Sequence, residues 1–233
     1  MLLYVGDSPA SGALPYPELH LIENILASAE GPACASCSFQ AGGVVVLDLI
    51  RRVEPRIPVL FIDTGYHFPE TLAFRDRLAA EWNLNLINLR AEETVAEQEE
   101  REGLLYVSDP SRCCRLRKVE PLFRELEKYA VWFTGLRRRQ SPSRMGIQTV
   151  EAAVLPSGRV LTKVNPLADW SSDRLWSYLA EHGIPSLPLY EEGFTSIGCA
   201  PCTTIPFDPA NPRSGRWGGR KLECGIHSYA GGD

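Results

Sequence analysis

Pro58-Val59-Leu60-Phe61-Ile62, running straight into Asp63-Thr64-Gly65-Tyr66-His67-Phe68-Pro69-Glu70, decides the fold. Five apolar residues in a row, with no polar alternation, suit a strand covered on both faces, the condition of a parallel strand in an α/β sheet. The polar residues that follow stand where open α/β sheets bind ligands, beyond the carboxyl end of a strand. Pro69 then opens a helix through Trp82, and Leu84 to Leu89 supplies another strand.

Upstream, Pro17 to Ala29 carries Leu19, Ile22, Ile25 and Leu26 at helical spacing. Ala33 to Phe39 is a short strand that enters Ser38-Phe39-Gln40-Ala41-Gly42-Gly43, and Val44 to Val53 is apolar enough for a buried helix. Strand, glycine-bearing loop and helix form the arrangement that aims backbone N–H groups at a phosphate. The loop matches neither a Walker pattern nor G-x-G-x-x-G, so a plain tight turn stands equally beside that reading. Downstream, Ala91 to Gly103 is glutamate-rich and reads as a solvated helix. Ala130 to Thr134 is a further strand, again ending in polar chemistry at Gly135-Leu-Arg137-Arg138-Arg139-Gln-Ser-Pro-Ser-Arg144. Val150 to Leu155 and Val160 to Val164 flank Pro156-Ser-Gly158 as a hairpin, and Ser171 to His182 is the last helix. Alternating strands and helices give an α/β fold: an open, mostly parallel sheet with helices on both faces. Residues 1–186 form the nucleotide-binding unit. Residues 187–233, rich in glycine and proline and without periodicity, form a C-terminal segment of the same domain.

The 233 residues suffice for a core without staples, and no apolar run is long enough for a membrane span or a secretory leader, so the expected place is the cytoplasm. A net charge of −5 excludes a general nucleic-acid surface. The cations are instead clustered locally, at Arg115 with Arg117, Arg137 to Arg139, and Arg213 with Arg216, as a small anionic ligand requires. Oligomeric state stays open, a homo-oligomer included.

Seven cysteines in a reducing compartment point to metal binding or catalysis rather than disulfides. Cys113-Cys114 is followed by Arg115, Arg117 and Lys118, which sets soft metal ligands beside anion-binding groups. Cys199-Ala-Pro-Cys202 is a second pair, and Cys224 stands in Lys221-Leu-Glu-Cys224-Gly-Ile-His227. Cys34-Ala-Ser-Cys37 reads better as two buried small hydrophobes than as a half-site. A Cys₄ zinc site from Cys34, Cys37, Cys199 and Cys202 in a non-catalytic binding protein is the rival reading.

With these motifs in order, the chain from about Ala33 to His227 resembles the assimilatory sulfonucleotide reductases, the iron–sulfur type acting on adenosine 5′-phosphosulfate. The supporting matches are Asp63-Thr-Gly-Tyr-His-Phe-Pro-Glu-Thr71 and Gly135-Leu-Arg-Arg-x-Gln-Ser141. The resemblance implies an adenine nucleotide α-hydrolase-like fold and a [4Fe–4S] cluster on Cys113, Cys114, Cys199 and Cys202. It places Lys118 between cluster and substrate. Arg137, Arg138, Arg213 and Arg216 would hold phosphate and sulfate, and Ser38, Phe39 and Gln40 with Asp63, Thr64 and Gly65 would embrace the nucleotide. Cys224 is the implied nucleophile, its thiolate favoured by Lys221, His227 and the arginines, with thioredoxin or a similar dithiol donor as partner. A reductase of 3′-phosphoadenosine 5′-phosphosulfate, or one that accepts both nucleotides as some cluster-bearing members do, is the near alternative, although enzymes for the 3′-phosphorylated nucleotide generally lack the paired cysteines. An ATP pyrophosphatase would need a serine-glycine-glycine loop that Ser38 to Gly43 does not provide. Two departures from the family stand out. Gly42-Gly43 replaces an acidic pair, which removes negative charge and brings backbone N–H groups closer. Arg139 replaces an acidic residue and adds positive charge.

Overall fold

The computed structural model describes residues 16–208, 211–221 and 223–227, so the first fifteen residues of the expected 1–186 unit lie outside it. The chain runs α1 (Pro17–Ser28), β1 (Ala33–Ser36), α2 (Ala41–Arg51), β2 (Pro58–Ile62), α3 (Pro69–Glu81), β3 (Asn85–Leu89) and α4 (Val95–Glu102). Two short helices follow, α5 (Leu105–Ser108) and α6 (Pro110–Cys114). The second continues through a π-helical stretch, Arg115–Val119, into α7 (Glu120–Leu126). Then come β4 (Val131–Phe133), the hairpin β5 (Val150–Val154) and β6 (Val160–Val164), and α8 (Ser172–Glu181).

The six strands form one sheet in the order β3-β2-β1-β4-β6-β5, parallel except for the β5 edge. This is the open, mostly parallel architecture expected. The hairpin also forms, and its second strand joins the parallel ladder through Val131↔Thr162 and Phe133↔Val164. The order reverses at β1. From there the chain builds outward through β2 and β3, then returns to add β4 on the other side, which opens a crevice beyond the carboxyl ends of β1 and β4.

Both faces are covered. On one, Val44, Val45, Leu47 and Leu49 of α2 pack with Leu19 and Ile22 of α1, Phe74 and Leu78 of α3, and Leu175, Tyr178 and Leu179 of α8. On the other, Leu122, Phe123 and Leu126 of α7 pack with Leu60 and Trp132. Cys34 belongs to this second layer and Cys37 to the first, so the C-x-x-C pair is buried and divided between opposite sides of the sheet.

Two local expectations change. The helix after β1 starts at Ala41 rather than Val44, taking Gly42 and Gly43 into its first turn. The reason is tertiary: a Cβ on Gly42 would stand 2.9 Å from the Gly135 carbonyl oxygen, and one on Gly135 would stand 2.7 Å from that of Gly42. The loops after β1 and β4 thus meet backbone to backbone at the switch point. Gly135→Ala is expected to destabilise the fold by about 1–3 kcal/mol, as overpacking of a rigid contact does, read as a lower urea midpoint. The glutamate-rich α4, in turn, is not solvated all round. Gln98 is buried and accepts a hydrogen bond from Arg117 (3.1 Å), and Glu99 accepts one from the Tyr66 hydroxyl (2.7 Å).

Candidate active site

The crevice at the switch point is a cleft of about 530 Å³, within the range of ligand sites. Its floor is the N-terminus of α2, where Gln40 takes the cap position without a side-chain cap, leaving the positive end of the helix toward the cleft. Residues of the C-terminal segment close over it. Tyr190 accepts the Ala41 N–H through its hydroxyl (3.1 Å), and Gln40 Oε1 accepts the Ile197 N–H (3.0 Å). A β-bridge between His67 and Cys199 joins the same segment to the loop after β2.

Six cations line this cleft: Lys118, Arg137, Arg139, Arg144, Arg213 and Arg216. Among the described residues no Asp or Glu lines it. Arg137, from the turn after β4, is buried and held by the Trp170 carbonyl (3.3 Å) and Ser172 Oγ (3.4 Å). Arg213 and Arg216 both donate to Ser196 Oγ (3.3 Å each). Arg216 also lies 4.4 Å over the Trp217 ring, in space left by Gly198, where a Cβ would stand 2.0 Å from its guanidinium. Burial lowers the pKa of all three arginines, that of Arg213 to about 10. The buried Nε atoms of Arg137 and Arg216 have no hydrogen-bond partner among the described residues. Buried donors without partners are costly unless water or a ligand completes them, and the charge of this cleft suits an anion.

Ser38, Gln40 and Thr64 line the cleft together with Lys118, Cys224 and His227. Four other residues expected in it are placed elsewhere. Phe39, at φ +57°, is fully buried edge-on to Phe61 at 5.7 Å, because the turn that frees Ser38 drives the aromatic ring into the core. Asp63 is drawn outward by Arg90 (2.9 Å) and caps the Gly65 N–H (3.2 Å). Gly65, at φ +75°, takes a turn where a Cβ would strike Val95 at 2.6 Å. Arg138 is bound to the Ile147 carbonyl (2.8 Å) and to Asp169.

A second, smaller cavity behind the cleft is lined by Cys113, Cys114, Cys199 and Cys202 with Thr64, Tyr66, Tyr106 and Trp217. The π-helical stretch that follows Cys114 directs its cations Arg117 and Lys118 differently. Arg117 is buried, donating to the Thr64 carbonyl (2.6 Å), and Lys118 lines both cavities. Burial works against the charge on Lys118, but Cys199, Cys114 and Cys224 in their thiolate forms reverse that and raise its pKa. The Cys199 Sγ lies 3.3 Å from Thr64 Oγ1. Among the described residues no three Cys, His, Asp or Glu side chains are gathered closely enough to hold a single metal ion.

Cys224 is half-exposed and within electrostatic reach of Lys118, Arg213 and Arg216. Two groups expected to favour its thiolate act otherwise. His227 is stacked on Trp132 (centroids 5.5 Å apart), and burial, with Arg144, Lys163 and Arg213 nearby, pushes its pKa well below the usual value, so the ring is neutral. Lys221 donates to Ser111 Oγ (3.3 Å) and lies over the Trp217 ring. Sequence reasoning passed over Glu223, which accepts from Arg144 and two serines (2.7 Å for the shortest contact). A carboxylate next to a cysteine in a basic segment was the available signal.

A family model described as the phosphoadenosine phosphosulfate reductase domain matches residues 32–205. The adenosine 5′-phosphosulfate reductase of Rhodococcus opacus (strain B4) is 46% identical over 186 residues, which is 79% of this chain and 74% of that protein. The adenosine 5′-phosphosulfate reductase of Mycobacterium tuberculosis (strain H37Rv) is also 46% identical over 186 residues, covering 79% of this chain and 72% of its own. Among solved structures, the phosphoadenylyl-sulfate reductase of Candida auris, in a phosphate complex, matches with a TM-score of 0.71 at 25% identity, over 82% of this chain and 91% of that one.

Proposed function

Because this chain belongs to the phosphoadenosine phosphosulfate reductase family, we propose that it reduces adenosine 5′-phosphosulfate to sulfite and AMP in sulfate assimilation. The observation that carries the reading is that a half-exposed thiol, Cys224, shares one cleft with six cations and no carboxylate among the described residues. A doubly anionic phosphosulfate suits that charge, and the α2 N-terminus suits its phosphate.

Arg137, Arg216 and Lys118, with Arg213, hold the phosphate and sulfate oxygens, and Ser38, Gln40 and Thr64 border the nucleotide. The Cys224 thiolate attacks the sulfate sulfur. The S–O bond to the phosphate breaks, AMP leaves with the bridging oxygen and its electron pair, and the sulfonate stays on Cys224. The cations neutralise charge gathering on the leaving phosphate. A thiolate of thioredoxin or a similar dithiol then attacks Cys224 Sγ, sulfite leaves with the S–S electron pair, and the donor's second thiol resolves the mixed disulfide. The dithiol supplies both electrons, and Cys224 is regenerated.

Cys113, Cys114, Cys199 and Cys202 fit a [4Fe–4S] cluster, since all four line one cavity. When bound, the cluster contributes structure and electrostatics beside Lys118. Among the described residues no helix is long and apolar enough to cross a membrane, and free thiols suit action in the cytoplasm.

The direct test is sulfite release with a dithiol donor from adenosine 5′-phosphosulfate and from its 3′-phosphorylated analogue. Faster turnover of the first is expected. Release from neither would overturn the reading, and faster turnover of the second would reassign the substrate.

A further inference from the structure

Glu223 immediately precedes the thiol assigned as nucleophile, yet it does not itself line the cleft: its carboxylate enters a built site on the turn after β4, where it meets the cleft-lining Arg144 and Arg213. Arg144 grips it with two contacts, Nε to Oε1 at 2.9 Å and Nη2 to Oε2 at 2.7 Å. Ser143 Oγ and Ser141 Oγ donate to Oε1 at 2.9 and 3.1 Å, and Arg213 reaches Oε2 at 3.4 Å. The Arg144 and Glu223 side chains are only 12% and 15% exposed, so this forked pair is far less screened than a surface ion pair. Among the described residues, the segment's other links to the body include the Lys221–Ser111 contact, a hydrogen bond from Arg220 to the Val107 carbonyl (3.1 Å), the packing of Ile226 against the α7 layer and the stacking of His227 on Trp132, and none of these is an ion pair. After Cys224 the chain turns at once, at Gly225 with φ +96°. The nucleophile therefore sits between a charged anchor and a turn.

We infer that Glu223 is a latch: its carboxylate, held by Arg144, Ser141 and Ser143, seats the Cys224 segment over the cleft. This rests on the proposed role of Cys224, and it divides the cations. Arg144 holds the protein's own carboxylate, while Arg137, Arg216 and Lys118 face the substrate. Because the partner thiol must reach Cys224 after AMP has left, a latch made chiefly of hydrogen bonds and charge lets the segment close for the first attack and release for the second. Glu223 is thus a positioning residue.

Glu223→Gln keeps the size and a hydrogen-bonding group and removes the charge. In the protein without nucleotide, trypsin cleavage after Lys221 is expected to speed up by roughly 10-fold or more, the worth of a charge-assisted hydrogen bond. The kcat for sulfite release should fall by a similar factor, with KM for adenosine 5′-phosphosulfate changed by less than about 2-fold, the signature of a lost positioning contact rather than lost substrate binding. Ser143→Ala, made on the opposite side of the contact, should shift both readouts in the same direction by less. Wild-type cleavage and kcat in both variants would overturn the latch, as would a rise in KM with kcat unchanged. The cleavage readout requires no turnover. An inactive wild-type protein whose tail is still loosened by Glu223→Gln would therefore sink the assigned reaction and leave the latch standing.

Discussion

Cys224→Ser is expected to lower sulfite formation by ~10⁴-fold or more, the scale on which removal of a covalent nucleophile acts, with nucleotide affinity nearly unchanged. Two separate chemical reasons support so large an effect. A serine hydroxyl is far harder to ionise than a thiol, and the neutral His227 ring adds no positive charge to compensate. Even if the oxygen did attack, the product would be a sulfate ester in which sulfur is not yet reduced. A dithiol cannot then attack the serine oxygen to release sulfite. Sulfur at this position is a requirement of the redox balance and not only of reactivity. The affinity should hold because Arg137, Arg216 and Lys118 remain in place. The check is a single-turnover assay with radiolabelled substrate, followed by location of the label. In the wild-type protein the sulfonate should be found on the peptide bearing Cys224. The other thiol lining the cleft, Cys37, is a poor candidate, since burial pushes its pKa up to about 12. A Cys224→Ser protein that still turns over would nevertheless move the chemistry there.

The strands were legible because their signal is local. Pro58–Ile62 was bounded correctly from an apolar run that starts at a proline and ends at an aspartate. The start of α2 was misread because Gly42 and Gly43 look like a loop. The reason for Gly42 lies nearly a hundred residues away, where Gly135 approaches too closely for any Cβ, while a Cβ on Gly43 would meet Cys37 Sγ at 2.8 Å. The paired cysteines, the arginine clusters and Cys224 were legible as chemistry, through residue type and through the resemblance. Which cation meets which anion was not. Asp63 and Arg138 both looked like ligand residues, and each is taken by a partner, Arg90 and Asp169, that no local pattern links to it. The π-helical stretch that sends Arg117 inward and Lys118 toward both cavities leaves no trace in hydrophobic periodicity. The C-terminal segment has no periodicity at all. Its course follows from long-range contacts such as Gln40 to Ile197 and the Thr203–Arg216 bridge, and Glu223 escaped notice for the same reason.

Purified without oxygen, the protein is expected to be brown, with about four irons and four sulfides per chain. Replacing any one of Cys113, Cys114, Cys199 or Cys202 by serine should cost at least about a quarter of that iron, since a cubane lacking a thiolate ligand loses the corner it held. Cys34→Ala and Cys37→Ala should keep the full content. The contrast follows from where the side chains stand. The first four line one cavity behind the cleft, while Cys34 and Cys37 are buried on opposite sides of the sheet and cannot serve one centre without unfolding β1. Iron content is the decisive readout because it does not depend on turnover, so it separates a lost cofactor from a lost nucleophile. A colourless protein with one zinc, its content reduced by Cys34→Ala, would overturn the cluster and require a rearrangement of β1. Zinc retained in Cys34→Ala but lost in Cys202→Ser would keep the four-thiol site and change only the metal, leaving Lys118 facing a smaller charge distribution.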